Sequence, residues 1–235
     1  MISIIAHRGY SASYRENSPE AWQRAVEAGA DFIEIDVRFT ADWQGVCLHD
    51  ADLARLAGRA EQISNLPHAT IEGIEVDGQP LAPLLSDAFQ TIPPSTGIML
   101  DVKDERPQAL ATLDGLIRAA TPRRIVLGLH DAGSVAAMKA RGHEAMLALT
   151  PEPEQGAAFI EAGCSLLRLW EGDVTAERLA AAAAWRVPVW ITAGGRGTKR
   201  ETGDIDAKSL VALAALGMSG VLVNDPAAAR ADLQQ

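Results

Sequence analysis

The feature that most narrows what this chain can fold into is its rhythm, in which short apolar runs alternate with stretches of helical period almost to the end. Such alternation predicts repeated βα units and a parallel sheet. Strand-like runs fall at 3–6, 32–37, 97–102, 125–129, 145–149, 165–170, 187–192 and 220–223. Helical stretches are predicted over 20–27, 84–90, 108–119, 132–140, 154–161, 176–185 and 207–216. Eight parallel candidates suit a closed (β/α)8 TIM barrel, an α/β fold for which 235 residues is an ordinary length. Residues 1–235 are therefore expected to form a single domain.

A ninth run, 46–48, lies too close to 32–37 for a parallel crossover, which leaves an antiparallel hairpin through the turn-rich segment 40–45. With the turn centred near Asp42 and Trp43, Arg38 is expected opposite Cys47 and Asp36 opposite His49, so that His49 folds back beside Asp36. From about 51 to 83 no strong period survives, and Gly58, Pro67, Gly73, Gly78 and Pro80 punctuate the segment. It reads as a short insertion in the second βα unit, on the face where barrel loops cover a site.

A net charge of −10 opposes nonspecific binding to a polyanion, and no basic patch offsets it, so no nucleic-acid partner is expected. No apolar run reaches the length of a membrane span, and no integral membrane association is expected. The first residues enter a strand without the pattern of a secretory signal, which predicts a cytoplasmic location. Cys47 and Cys164 are too few for a disulfide framework and read as buried thiols.

Chemistry concentrates in the first half. In 32–37, alternation sends Ile33, Ile35 and Val37 to one face and Glu34 and Asp36 to the other. With the apolar set under the outer helices, both acids point into the barrel, where unpaired like charges either raise their pKa values or recruit a cation. Asp101 and Lys103 share one face near the carboxyl end of the next barrel strand. Three carboxylates without a nearby His or Cys ligand favour a hard divalent cation, Mg2+ or Ca2+, over zinc. The plainer alternative is a structural salt bridge from Lys103 to one of the acids.

His7-Arg8-Gly9 ends the first strand, on the catalytic face of such barrels. Histidine exchanges a proton near neutrality, arginine forks onto phosphate oxygens, and glycine lets the backbone approach a ligand. A lone strand-end histidine is more often structural. His7 and His49, however, map independently to the mouth of the same carboxylate cluster and are the candidate acid–base pair. His130 follows the 125–129 strand and stays open as a pocket residue, whereas His68 and His143 are expected at the surface.

With these residues in view, the chain resembles the glycerophosphodiester phosphodiesterase family. The resemblance is carried by His7-Arg8-Gly9, Glu16-Asn17-Ser18, Gly29-Ala30-Asp31, Glu34-Ile35-Asp36-Val37, Thr40-Ala41-Asp42, His49-Asp50 with Leu53 and Arg55, and Leu100-Asp101-Val102-Lys103. Order and spacing agree over roughly the first 105 residues; beyond them the chain matches in its βα rhythm, in Trp190-Ile191-Thr192 and in the closing run from Gly220 to Pro226. The resemblance implies hydrolysis of a small-molecule glycerophosphodiester to an alcohol and glycerol 3-phosphate. It also implies a divalent cation, Mg2+ or Ca2+, on Glu34, Asp36 and Asp101, His7 and His49 as general base and acid, and phosphate contacts from Arg8 and Lys103. Glu16 enters as a substrate-side candidate, although Asn17 or Ser18 beside it also suits a helix cap. Trp190, at a strand end, suits either stacking on the substrate's alcohol or a place in the pocket wall.

Two departures from the family pattern stand out. Asp101 replaces the usual Glu, and Ile191-Thr192-Ala193 replaces the usual Thr-Val-Asn after Trp190. Two alternatives stay open, a phosphodiesterase or lysophospholipase-D-like activity on another anionic diester and a catalytically silent barrel that binds phosphodiesters. Segment 194–203 follows the seventh barrel strand, and its glycines with Arg196, Lys199 and Arg200 fit either a loop that closes on an anionic substrate or an ordinary solvated loop.

Overall fold

In the computed structural model, the described residues are 2–149 and 155–234. The first strand, β1 (Ser3–Ala6), leads to Ser18, whose hydroxyl accepts from the Ala21 N–H and starts α1 (Pro19–Glu27). Next, β2 (Phe32–Phe39) turns back as β3 (Gly45–Cys47). The insertion follows as β4 (Asp52–Leu53), α2 (Ala54–Ala57), β5 (Arg59–Gln62), β6 (Glu75–Val76) and β7 (Gln79–Pro80). The regular alternation then resumes with α3 (Leu85–Thr91), β8 (Gly97–Val102), α4 (Pro107–Ala119), β9 (Ile125–Leu129) and α5 (Ala132–Ala140). It continues through β10 (Met146–Ala148), α6 (Gly156–Ala162), β11 (Leu166–Trp170), α7 (Ala176–Trp185), β12 (Val189–Thr192), α8 (Ala207–Ala215), β13 (Gly220–Val223) and α9 (Pro226–Asp232).

Short oxygen-bearing side chains start many of these helices. Asp131, Thr175, Asp206 and Asp225 each accept from a backbone N–H three residues on, as Ser18 does. Caps of this kind are worth about 1 kcal/mol each. Placed within a few residues of the strand ends, they let the chain turn from sheet to outer layer without leaving the first helical amides unpaired.

Strands β1, β2, β8, β9, β10, β11, β12 and β13 pair in parallel in that order, and β13 pairs back onto β1, which closes the expected (β/α)8 barrel. Helix and strand bounds differ from the sequence expectation by a residue or two, as element ends usually do. The start of the helix expected over 154–161 lies outside the described residues. Helix α9 was not expected, although Asp225 as cap and Pro226 at the first helical position mark its start.

The hairpin register differs from expectation by one residue. Val37 stands opposite Cys47, Arg38 opposite Val46 and Phe39 opposite Gly45. The loop joining the strands, 40–44, has an odd number of residues and centres on Asp42. The Thr40 N–H donates to Gln44 O at 3.1 Å, Thr40 Oγ1 accepts from the Gln44 N–H at 2.9 Å, and Trp43 takes φ +61°. Leu48, not His49, faces Asp36, donating its N–H to Asp36 O at 3.1 Å. His49 lies beyond the end of β3, where strand alternation no longer dictates its direction.

Outward faces of the barrel strands pack beneath the helices, with Ile33, Ile35 and Val37 in one core with Trp22 and Leu113. Inward faces form an apolar plug of Ile5, Phe32, Met99, Val126, Leu147, Leu149 and Trp190. Phe32 and Trp190 meet edge to face at 5.1 Å. Glycines on neighbouring strands make room for them, since a Cβ at Gly97 would come 2.3 Å from the Phe32 ring and one at Gly220 2.7 Å from that of Trp190. The insertion has its own apolar cluster, including Val46, Leu48, Leu53, Ile63 and Leu81. Among the described residues no helix is long and apolar enough to cross a membrane.

Candidate active site

Above the plug the inward-facing side chains turn polar and enclose a cavity of about 240 Å3 at the carboxyl ends of the strands. Register explains the gathering. Asp36 pairs with Asp101, so the inward positions of β2 and β8 put Glu34, Asp36 and Asp101 side by side, with Lys103 one inward step further along. Glu34 and Asp36 are only 2% and 1% exposed.

An oxygen from each of these three carboxylates lies within 4.8 Å of the others. Glu34 accepts the Arg8 N–H at 2.7 Å, and Asp36 accepts Asn17 Nδ2 at 2.8 Å. The Lys103 ammonium sits 2.7 Å from Asp101 and 3.2 Å from Asp36, so the salt bridge weighed from sequence is present within the same cluster. Burial, with Asp36 and Asp101 close by, pushes the Glu34 carboxyl well above the usual carboxylate range. Burial also opposes ionisation of Asp101, but hydrogen bonds from His130 and Lys103 outweigh it and hold that carboxyl below the usual range. A single oxygen-seeking cation with bonds of about 2.1–2.5 Å spans donors at this spacing, so the three residues fit Mg2+ or Ca2+.

His7 emerges from β1 beside Glu34, and its Nδ1 lies 2.8 Å from Asn224 Oδ1. Asn224 donates its amide hydrogens to Thr202 O at 2.8 Å and Asp204 Oδ1 at 2.9 Å, which orients its oxygen toward His7. The hydrogen-bond network therefore places the proton on Nδ1 and leaves Nε2 with a free lone pair. Burial, aided by the neighbouring Arg8 charge, pushes His7 down to about 4. His49 is more exposed, and its Nδ1 lies 2.7 Å from Asp50 Oδ1. Burial resists ionisation of Asp50, but hydrogen bonds from His49 and Arg55 hold it below the usual range.

Arg8 takes a left-handed backbone at φ +56° and donates Nη1 to Glu16 at 2.9 Å. Its Nε lies 3.2 Å from Asp36 Oδ2 but makes no hydrogen bond, which leaves a buried donor beside the carboxylates. Glu16 also accepts from Arg55 of the insertion, so it anchors two arginines at the rim. His130 does line the cavity, with Nε2 2.9 Å from Asp101. His143 instead pairs with Asp114, and His68 lies in a turn of the insertion. Cys47 and Cys164 are both buried thiols, as expected.

One placement needs correction, and one segment left open by the sequence can be described. Trp190 is not at a strand end but opposite Gly220, deep in β12, where it packs on Phe32 and forms the cavity floor. The strand-end aromatic of the cavity wall is Trp170, at the end of β11. Segment 194–203 is hydrogen-bonded into the fold, with the Gly194 N–H on Glu171 at 2.9 Å and the Gly203 N–H on Ala193 O at 2.7 Å. Arg200 pairs with Glu171 and Asp206, and Arg196 lies 3.5 Å from Asp173, so much of the loop's positive charge is locally balanced.

Sequence reasoning missed Asn224, which holds His7, and Arg168, which lines the cavity. Asn224 was visible only as part of a closing motif. Arg168 had a signal, a charged residue on the inward face of the apolar run 165–170.

Comparison with known proteins points to one family and one fold. The model of the "Glycerophosphoryl diester phosphodiesterase family" matches residues 7–141. A glycerophosphodiester phosphodiesterase of Bacillus altitudinis is 27% identical over 110 residues, 44% of this chain and 45% of that protein. A lysophospholipase D of Homo sapiens is 32% identical over 112 residues, 42% of this chain and 35% of that protein. The chain thus spans less than half the length of these curated relatives. Among solved structures, an Oleispira antarctica phosphodiesterase in complex with the product sn-glycerol-3-phosphate superposes with TM-score 0.85 at 18% identity, over 99% of this chain and 97% of that one. A Thermotoga maritima glycerophosphodiester phosphodiesterase gives 0.79 at 20% identity, over 97% and 96%.

Proposed function

Because this chain belongs to the glycerophosphoryl diester phosphodiesterase family, we propose that it hydrolyses glycerophosphodiesters to an alcohol and glycerol 3-phosphate. The observation that carries the reading is the meeting of His7, His49 and three carboxylates in one small cavity. Glycerol 3-phosphate is named as product because the Oleispira phosphodiesterase is described with it bound. We read residues 1–235 as one catalytic unit.

Glu34, Asp36 and Asp101 would hold a divalent cation, Mg2+ or Ca2+, which supplies Lewis-acid polarisation of the phosphate and charge neutralisation when bound. Arg8 Nε, a buried donor without a hydrogen bond, and the Lys103 ammonium would receive the remaining phosphate oxygens. His7 acts as general base through Nε2, since Asn224 holds its other nitrogen protonated and burial keeps the ring neutral. His49 protonates the leaving oxygen, with Asp50 orienting the ring through the far nitrogen. Glu16 fixes the Arg8 side chain rather than touching the reacting atoms. Trp190 supports the floor beneath the substrate.

At about 240 Å3 the cavity falls below the roughly 300–1,000 Å3 of sites that enclose drug-sized ligands. That size suits a small, water-soluble diester. Product analysis by mass spectrometry over a diester panel, with and without Mg2+ or Ca2+, tests the proposal. Release of glycerol 3-phosphate is expected; intact diesters in every metal-loaded reaction would overturn it.

A further inference from the structure

Arg168 is the charged group of the cavity that the reaction above leaves unused. It projects inward from β11, is 9% exposed and lines the cavity. Neither Nε nor Nη1 has a hydrogen-bond partner among the described residues. Asp173, a nearby carboxylate, accepts from Arg178 at 2.9 Å through Oδ1, while its Oδ2 lies 3.5 Å from Arg196 and makes no hydrogen bond to Arg168 or any other described residue. Asp101 is taken by Lys103 and His130. A buried guanidinium with open donors is costly unless an anion meets it.

The strand order sets Arg168 on the wall opposite Glu34 and Asp36. In the closed strand order, β11 stands four strands from β2 in either direction, so Arg168 faces Glu34 and Asp36 across the barrel. The carboxylates, Arg8 and Lys103 thus occupy one wall and Arg168 the opposite one. One face of Trp170 is covered by the Arg168 guanidinium at 4.6 Å, so that face is not open to stack on a cationic alcohol. Charge points the same way. The lining holds three cations, Arg8, Lys103 and Arg168, against Glu34, Asp36 and Asp101. Adding a divalent cation and a singly charged phosphodiester leaves the cavity with an excess positive charge, which one further anionic group would balance.

We propose that Arg168 forms a second anion subsite, which binds a carboxylate on the leaving alcohol and makes the enzyme prefer glycerophosphodiesters of acidic alcohols. The inference rests on the phosphodiesterase reading. Arg168 is then a specificity-determining residue, donating from its open nitrogens to the carboxylate oxygens.

The test compares two diesters of glycerol phosphate, one with glyceric acid and one with glycerol, which differ in a carboxylate for a hydroxymethyl group. The metal-loaded enzyme is expected to favour the glycerate diester in kcat/KM by roughly ten- to hundredfold, the range for a hydrogen bond to a charged partner. Arg168→Gln should bring that ratio close to one, and Arg168→Lys, which keeps the charge, should retain part of it. Turnover of both diesters with a wild-type ratio near one would overturn the subsite and leave the phosphodiesterase reading standing. So would equal loss on both diesters in a folded Arg168→Gln protein, which would make Arg168 a phosphate ligand or a structural residue. Turnover of neither diester would overturn both readings. Should Arg168→Gln fail to fold, the wild-type ratio and the Lys variant decide, and a ratio near one in the wild type remains fatal.

Discussion

His7 gives its Nδ1 proton to Asn224 and is pushed by burial from 6.5 down to about 4, so the folded protein binds fewer protons than the unfolded chain between those values. Stability from this group is fully present above the unfolded value and lost as pH falls through the folded one. The whole effect is about 3 kcal/mol, since each pKa unit is worth about 1.4 kcal/mol. Wild type should therefore lose melting temperature faster than His7→Gln on going from pH 6.5 to 4. Parallel pH curves for the two proteins would remove the effect. For catalysis the same shift predicts an acid limb of kcat/KM near pH 4 or below; a limb near 6.5 would argue against His7 as the base. His7→Ala and His49→Ala are each expected to lower kcat by roughly 10²–10⁴, and by less than the product of the two losses in the double variant. Near-wild-type turnover in either single variant would take that residue out of the mechanism.

Among the elements, the loop after β12 changes its meaning most between sequence and structure. Its glycines turn the chain so that Arg200 reaches Glu171 and Asp206, and the segment behaves as a strap that also supplies Thr202 O to Asn224. Arg200→Gln is expected to lower the melting temperature by roughly 2–4 °C, the effect of about 1 kcal/mol in a domain of this size, with KM and its salt dependence unchanged. A raised KM at an unchanged melting temperature would return the loop to a substrate-recruiting role. Strand β2 was legible because strict alternation admits only one assignment of Glu34 and Asp36 to the inner face. The hairpin register was not, because a change of one residue in loop length alters the pairing, and nothing in 40–45 marks Trp43 for a left-handed backbone. The depth of Trp190 was not legible for a related reason, since it depends on the stagger between strands, which one strand read alone does not reveal.

For the whole molecule, the barrel places an apolar plug directly beneath a cluster of buried carboxylates, and these two layers pull in opposite directions. The plug stabilises the fold through burial. The carboxylates repel, and Glu34 shows the strain most clearly, its carboxyl pushed well above the usual range by burial and by its acidic neighbours. A divalent cation at Glu34, Asp36 and Asp101 would bind the folded state alone and raise its stability by mass action, by about 2.7 kcal/mol at a hundredfold excess over Kd. At that saturation the melting temperature should rise by roughly 5–10 °C, given about 2–4 °C per kcal/mol for a chain of this length. Chelation should reverse the rise and abolish turnover, and Mg2+ or Ca2+ should restore both. Glu34→Gln separates metal binding from general electrostatics. Removing one buried charge should leave the metal-free protein at least as stable as wild type, while the metal-induced rise shrinks or disappears. If the variant melted well below metal-free wild type and still gained the full rise with metal, the ion would have to bind elsewhere, and Glu34 would be a structural acid held by the Arg8 amide.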